Sequence, residues 1–254
     1  MKKTLLFLSV ILTLSGCNKG ADSVFTINTT PKNLYAGDSL QLDVSSTNYV
    51  SYSVENEYYA SVSNKGLIKA KKVGSTIVKI NTEKETKTFP VTVRAREYLY
   101  IDPQLDWNMN SDKVISALGV AKDDVKFGED YFYIEDYSLS AYLAIFLFDD
   151  KTKKLASYMI CVDCYKIKEA AAFLKERYYY VDYNSDGAFF IGSLPKDLVI
   201  GTKCIFVSSE LKRLKNKYIF QILYCKFDNT TKAFISGKNI DKTFYEKLYN
   251  KLIN

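Results

Sequence analysis

Leu40-Gln41-Leu42-Asp43-Val44 alternates apolar and polar side chains directly after the turn residues Ala36-Gly37-Asp38. A period of two turns one face of a strand to a core and the other to water. The pattern returns at short intervals on either side: Val24 to Ile27, Val50 to Val54, Ala60 to Val62, Leu67 to Ala70, Thr76 to Ile80 and Phe89 to Val93. Seven short strands with polar turns predict an antiparallel β-sandwich over residues 24–94. No cysteine falls inside it, so no disulfide joins its sheets. Gly37 and Gly66 sit where tight turns need a residue tolerant of positive φ.

The order of residues here resembles a known family. Leu34-Tyr35-Ala36-Gly37-Asp38-Ser39-Leu40-Gln41-Leu42 is followed by Tyr52-Ser53-Val54-Glu55-Asn56 and by Ala60-Ser61-Val62-Ser63-Asn64-Lys65-Gly66-Leu67-Ile68-Lys69-Ala70. Gly74-Ser75-Thr76-Ile77-Val78-Lys79-Ile80 completes the series, which is similar to a group 2 bacterial immunoglobulin-like (BIG2) domain. Tyr52 stands where that family usually has Trp. The resemblance implies an extracytoplasmic spacer or adhesion module and supplies no catalytic set.

Upstream, Met1-Lys2-Lys3 is a basic start and Thr4 to Leu14 an apolar stretch too short to span a bilayer. Leu14-Ser15-Gly16-Cys17 then resembles the lipobox of bacterial lipoproteins. That resemblance implies that residues 1–16 are removed, that Cys17 is acylated, and that residues 17–23 are a lipidated tether. Several acyl chains hold a protein on a membrane stably. In lipoprotein families an Asp after the acylated Cys favours the inner membrane. Asn18 stands there, so the expected location is the cell envelope, at the outer membrane of a Gram-negative bacterium.

After the sandwich the pattern changes. Residues 95–106 read as a linker ending in Asp102-Pro103, and residues 107–254 as an α+β domain with a largely antiparallel sheet. Asn110-Ser111-Asp112 is an N-cap signal for a helix with Val114, Ile115 and Leu118 on one face, stopped by Gly119. Strands are expected over Tyr131 to Ile134, Ala141 to Phe148 and Leu155 to Val162, the last two joined by a hairpin loop at 149–153. The continuous run Ala141 to Phe148 reads as a buried strand.

A second round starts with a helix over Tyr165 to Arg177, its buried side formed by Ile167, Ala170, Ala171, Phe173 and Leu174. Strands follow at Tyr178 to Asp182, Ala188 to Ile191, Leu198 to Ser208 and Tyr218 to Phe227. Ile240 to Ile253 forms a last helix. Helix, strands, helix, strands reads as a tandem repeat. The opening at Trp107 to Val114, with Leu118-Gly119, resembles small helix-plus-sheet envelope lipoproteins and β-lactamase-inhibitor-like domains, which implies protein binding.

The chain carries no His, which excludes Ser-His-Asp and Cys-His catalysis and His-based metal sites. Its net charge of +6 is interspersed with acids. The clusters Lys69-Lys71-Lys72 and Lys212-Arg213-Lys215-Lys217 read as solvated turns, not a nucleic-acid stripe. The acid pairs at 123–124, 129–130, 135–136 and 149–150 fall in loops, and Asp182 to Gly187 lacks the later Glu of a calcium loop.

Cys161-Val162-Asp163-Cys164 lies between a strand and a helix, where a helix N-terminus lowers a thiol pKa. Cys204 and Cys225 lie on successive strands. Disulfide, redox and thiol readings stay open, with three full connectivities. Tyr178, Tyr179, Tyr180 and Tyr183 are a candidate binding surface.

The expected function is a non-enzymatic, envelope-anchored binding or adhesion protein. The sandwich serves as its stalk and an unknown protein or glycan as its partner; no cofactor, metal or nucleic acid is expected. One alternative is a periplasmic assembly or inhibitor-type factor using a concave sheet face. The other is a thiol-disulfide oxidoreductase using Cys161 and Cys164.

Overall fold

Strand alternation governs the N-terminal unit. The computed structural model describes residues 24–138, 140–184, 187–197, 199, 201–209 and 211–226, without the side chains of 182–184. Nine strands fill the first part: β1 (Phe25–Ile27), β2 (Asn33–Tyr35), β3 (Ser39–Gln41), β4 (Val44–Ser46), β5 (Ser51–Val54), β6 (Ala60–Val62), β7 (Leu67–Ala70), β8 (Gly74–Asn81) and β9 (Thr86–Arg94). One sheet has the order β2-β9-β8-β5, a second β3-β7-β6, and β1 pairs with β4. Thr76, Val78 and Ile80 of β8 and Phe89, Val91 and Val93 of β9 point inward. Most of these meet Phe25, Leu34, Leu42 and Ile68 in one apolar core.

The run Leu40 to Val44, expected as one strand, is two. β3 pairs with β7, the chain crosses at Leu42-Asp43, and β4 pairs with β1. Gly66 has φ +76°, and a Cβ there would lie 3.0 Å from the Tyr52 ring. Tyr52 therefore packs over a turn that only glycine fits.

The second unit holds α1 (Ser111–Leu118), β10 (Lys126–Phe127), β11 (Tyr131–Ser138), β12 (Ala141–Phe148) and β13 (Leu155–Asp163). Then come α2 (Ile167–Arg177), β14 (Tyr179–Asn184), β15 (Gly187–Ile191), β16 (Lys203–Ser208), β17 (Lys212–Leu214) and β18 (Lys217–Lys226). All strands join one antiparallel sheet of order β10-β11-β12-β13-β18-β16-β15-β14, with β17 on β18. Each half is one helix followed by an antiparallel meander, and the halves meet where β13 pairs with β18. The repeat expected from the helix and strand order is thus visible as topology.

Both helices lie on one face. Val114 and Ile115 of α1 and Ala170, Phe173 and Leu174 of α2 pack on Phe146, Tyr158, Ile160, Phe220 and Tyr224 of the sheet. Within the expected N-cap signal at 110–112 it is Asn110 that accepts from Lys113 N, at 3.1 Å, and Gly119 ends α1 with φ 67°. On the opposite face Leu143, Ile145, Leu147, Met159, Cys161 and Ile219 are 0–6% exposed. β12 is therefore buried on both faces, as its unbroken apolar run requires. The centre of this face is thus closed to solvent.

Several expectations change. α2 starts at Ile167 after a tight turn at Cys164–Lys166, and Ile167, expected on the buried side, is 46% exposed. The strand expected from Leu198 begins at Lys203, after a turn at Pro195–Asp197. Residues 95–106, read as a linker, are a strap on the second unit: Leu99, Tyr100 and Leu105 enter its core. Burial of such side chains stabilises by about 1.5–3 kcal/mol each, which a free linker would forfeit. Cys17, where acylation is expected, and the helix expected over Ile240 to Ile253 lie outside the described residues.

Candidate functional site

Three places gather the candidate side chains: the junction of the two units, a buried polar cluster under the strap, and the far end of the large sheet.

The junction is built on the C-terminus of α2. A helix leaves its last carbonyls without internal partners. Leu174 O accepts from Tyr178 N at 2.7 Å, and the sandwich serves the next three. Lys72 Nζ donates to Lys175 O at 2.6 Å, Val73 N to Glu176 O at 2.8 Å, and Tyr58 Oη to Arg177 O at 2.5 Å. The Lys72 ammonium also suits the negative end of the helix dipole. Burial pushes the Tyr58 hydroxyl pKa up and the Lys72 pKa down.

The strap closes the other side. The Glu176 carboxylate accepts from Arg96 N at 3.0 Å and Glu97 N at 3.1 Å. Arg177 donates to Glu97 O at 3.2 Å and lies over the Phe173 ring at 3.7 Å. Arg96 in turn pairs with Asp38 at 2.9 Å and covers Tyr35. A Cβ on Gly74 would lie 2.2 Å from the Tyr59 ring, so the chain beside Val73 must be glycine.

This geometry disperses the tyrosine run read as a binding surface. Tyr178 is buried and donates to Asp102 Oδ2 at 2.6 Å. Tyr179 packs edge-on to Tyr58 at 5.4 Å with Lys72 over its ring at 4.6 Å. Tyr180 is 50% exposed beside Phe190, and Tyr183 sits opposite Ala188 in the sheet. Core, neighbouring sandwich and solvent thus divide Tyr178, Tyr179 and Tyr180.

Beneath the strap, Asp102 and Lys203 face a group of tyrosines. Tyr100 and Tyr224 share a hydroxyl hydrogen bond, and Tyr158 stacks on Tyr224 at 4.4 Å. Tyr158 Oη and Lys203 Nζ both donate to Pro103 O at 3.3 Å. Burial raises the Asp102 pKa, against the pull of Lys203, and lowers the Lys203 pKa, against the pull of Asp102. Asp102 Oδ1 is buried without a hydrogen-bond partner. The cluster ties strap to sheet. Asp102-Pro103 reads as the end of a linker in the sequence because its partners lie far along the chain.

At the far end, Tyr142 Oη donates to Asp163 Oδ2 at 2.6 Å and Tyr165 N to Asp163 Oδ1 at 2.9 Å. These hydrogen bonds, Tyr142's first, lower the Asp163 pKa, and the Asp163 carboxylate raises the Tyr142 pKa. Lys217 Nζ lies 3.6 Å over the Tyr142 ring. Tyr165 is 87% and Tyr218 56% exposed. Arg213, opposite Tyr218, is exposed as well. Asp163 faces Ile219 across β13 and β18, so the turn before α2 and the β17–β18 hairpin share this end. The length of α2 separates it from the junction.

The four described cysteines differ in burial. Cys161 is fully buried, and burial pushes its thiol up to about 12, the reverse of an activated nucleophile. Cys164 sits in the following turn, partly exposed. Cys204 lies opposite Cys225 on β16 and β18. Among the described residues, no group of three or more His, Cys, Asp or Glu is placed to hold a metal. No helix among them is long and apolar enough to cross a membrane.

Residues 1–18 match the prokaryotic membrane lipoprotein lipid attachment site, and residues 23–93 match the bacterial Ig-like domain (group 2). The protein is thus a lipid-anchored envelope protein carrying a bacterial Ig-like domain. No curated protein matches the chain. Among solved structures, domains 4 and 5 of the S-layer protein SbsC align at 18% identity and TM-score 0.26, over 29% of this chain and 54% of that one. Domains 5-6 of SbsC align at 11% identity and TM-score 0.27, over 79% and 84%. Human protocadherin-24 EC1-2 aligns at 11% identity and TM-score 0.24, over 80% and 95%.

Proposed function

We propose that this chain is a non-catalytic binding protein whose Ig-like domain is a stalk and whose contact surface is the far end of the large sheet. The observation that carries this reading is the junction. The sandwich serves the last three carbonyls of α2, so it holds the second unit by the C-terminal end of that helix. The end around Tyr142, Tyr165 and Tyr218 then points away from the anchored side. An anchor at Cys17, ahead of the sandwich, puts that end farthest from the lipid. Asn18 favours the outer membrane as the site of the anchor.

The chemistry of this end favours a glycan bearing carboxylate or phosphate groups. Exposed tyrosine rings offer flat apolar faces with a polar edge. Lys217 supplies a cation over the Tyr142 ring, and a charge-assisted hydrogen bond from its ammonium suits either anion. Binding of the full mature chain to immobilised polygalacturonate and to neutral dextran tests the reading. Retention on the acidic polymer, weakened at least ~10-fold by Tyr165→Ala with Lys217→Ala and by raised salt, is the expected result. Equal retention on dextran, or variants that bind like the wild type, would refute it.

A further inference from the structure

Cys204 and Cys225 are direct register partners on neighbouring antiparallel strands. Opposed residues in such a pair have Cα atoms about 4.5 or 5.5 Å apart, depending on their place in the hydrogen-bond ladder. Both values fall within the roughly 4.4–6.8 Å that a disulfide spans. Being opposite in register, the two side chains leave the sheet on the same face. Cys204 is 2% exposed and Cys225 half-buried. The attachment site at residues 1–18 sends the chain out of the reducing cytoplasm, to where disulfides persist.

The remaining cysteines are out of reach. Cys161 lies opposite Gln221, four residues along β18 from Cys225, or about 13 Å at strand rise. Cys164 follows Cys161 after two extended residues, which separates their Cα atoms by roughly 9–10 Å, past the ~7 Å limit for a bridge. Of the three full connectivities that four cysteines permit, none is reachable in this fold, and a single pair remains.

We propose that Cys204 and Cys225 form a cross-strand disulfide in the exported protein. The reaction is a thiol–disulfide exchange with an external disulfide, either an oxidised dithiol protein of the envelope or a small-molecule disulfide. The more accessible Cys225 sulfur, as thiolate, attacks one oxidant sulfur, and the oxidant's S–S bond breaks. A mixed disulfide forms and one oxidant thiol leaves. Cys204, losing its proton, then attacks the Cys225 sulfur and releases the second oxidant thiol. Two cysteine thiols are oxidised and one oxidant disulfide is reduced to two thiols, which carry the two protons. The bond staples β16 to β18 and closes the segment that contains the β17–β18 hairpin.

The test uses the full chain, exported with its own signal. Cells are quenched in acid, and the protein is denatured and alkylated without reductant, then digested with trypsin. Cleavage after Lys203, Lys212, Lys217 and Lys226 leaves Cys204 in peptide 204–212 and Cys225 in peptide 218–226. We expect these two peptides as one species, lighter than their sum by two hydrogens and separated by reductant. Peptide 155–166, which holds Cys161 and Cys164, should carry two alkyl groups. Alkylatable thiols among these four cysteines then fall from four to two on export. A chain without residues 1–16, kept in the cytoplasm, should show all four alkylated. Separate, alkylated 204–212 and 218–226 peptides from the exported chain would overturn the proposal. So would linkage of either to 155–166, or the same bond in the cytoplasmic control.

Discussion

Replacing Glu176 with alanine removes the acceptor that holds the start of the strap. Arg96 N and Glu97 N donate to its carboxylate at 3.0 and 3.1 Å, and the Glu176 side chain is 13% exposed. A hydrogen bond to a charged group contributes about 1.5–3 kcal/mol, so two sum to roughly 3–6 kcal/mol before water is considered. The strap runs at the surface, and water recovers part of the loss. A net loss of about 2–3 kcal/mol is expected for Glu176→Ala. Glu176→Gln keeps one neutral acceptor and should lose about half as much.

Each kcal/mol moves Tm by about 2–4 °C at this chain length, so Glu176→Ala should lower it by roughly 4–12 °C. Differential scanning calorimetry of the mature chain reads both the shift and its form. The wild type should melt in one transition, because sandwich, strap and α2 share hydrogen bonds. The alanine variant should melt earlier, with the two units beginning to separate. If both variants melt within about 1 °C of the wild type, water serves these N–H groups equally well and the coupling argument fails.

Two further substitutions probe the interiors of the units. Gly66→Ala forces a side chain onto a φ of +76° and against the Tyr52 ring, and should cost about 1–3 kcal/mol in urea denaturation; an unchanged midpoint would show that the turn relaxes. Burial raises the Asp102 pKa above 3.8, so the folded state holds that proton longer than the unfolded chain. Stability contributed by this group is then lost as pH rises from about 4 through the raised native value. Asp102→Asn cannot ionise, so a plot of Tm against pH should lose that decline; parallel curves for variant and wild type would remove Asp102 as its source.

Local sequence carried much of the architecture. The inward sets of β8 and β9 follow from alternation, and the Asn110 and Gly119 ends of α1 from capping chemistry. Ala170, Phe173 and Leu174 follow from helical spacing. Where local pattern misled, distant contacts were responsible. Ile167 fits the apolar stripe of α2 but, as its first residue, is left 46% exposed. Residues 95–106 have the composition of a linker, yet Leu99, Tyr100 and Leu105 find a core made by strands far along the chain. Tyr178 to Tyr180 read as one patch, but the end of α2, the sandwich and solvent divide them between core, junction and surface.

The sequence by itself determined the anchor, the Ig-like sandwich and the alternation of helices with antiparallel strands. These rest on side-chain period, capping and short ordered motifs, all of which act over a few residues. Only the tertiary structure decided that the sandwich completes the C-terminus of α2, that Asp102 and Lys203 are enclosed together, and that Cys204 faces Cys225. Period assigns a side chain to a face. It does not say which strand lies alongside or in what register, because those choices minimise the energy of the whole sheet and of the helices packed on it.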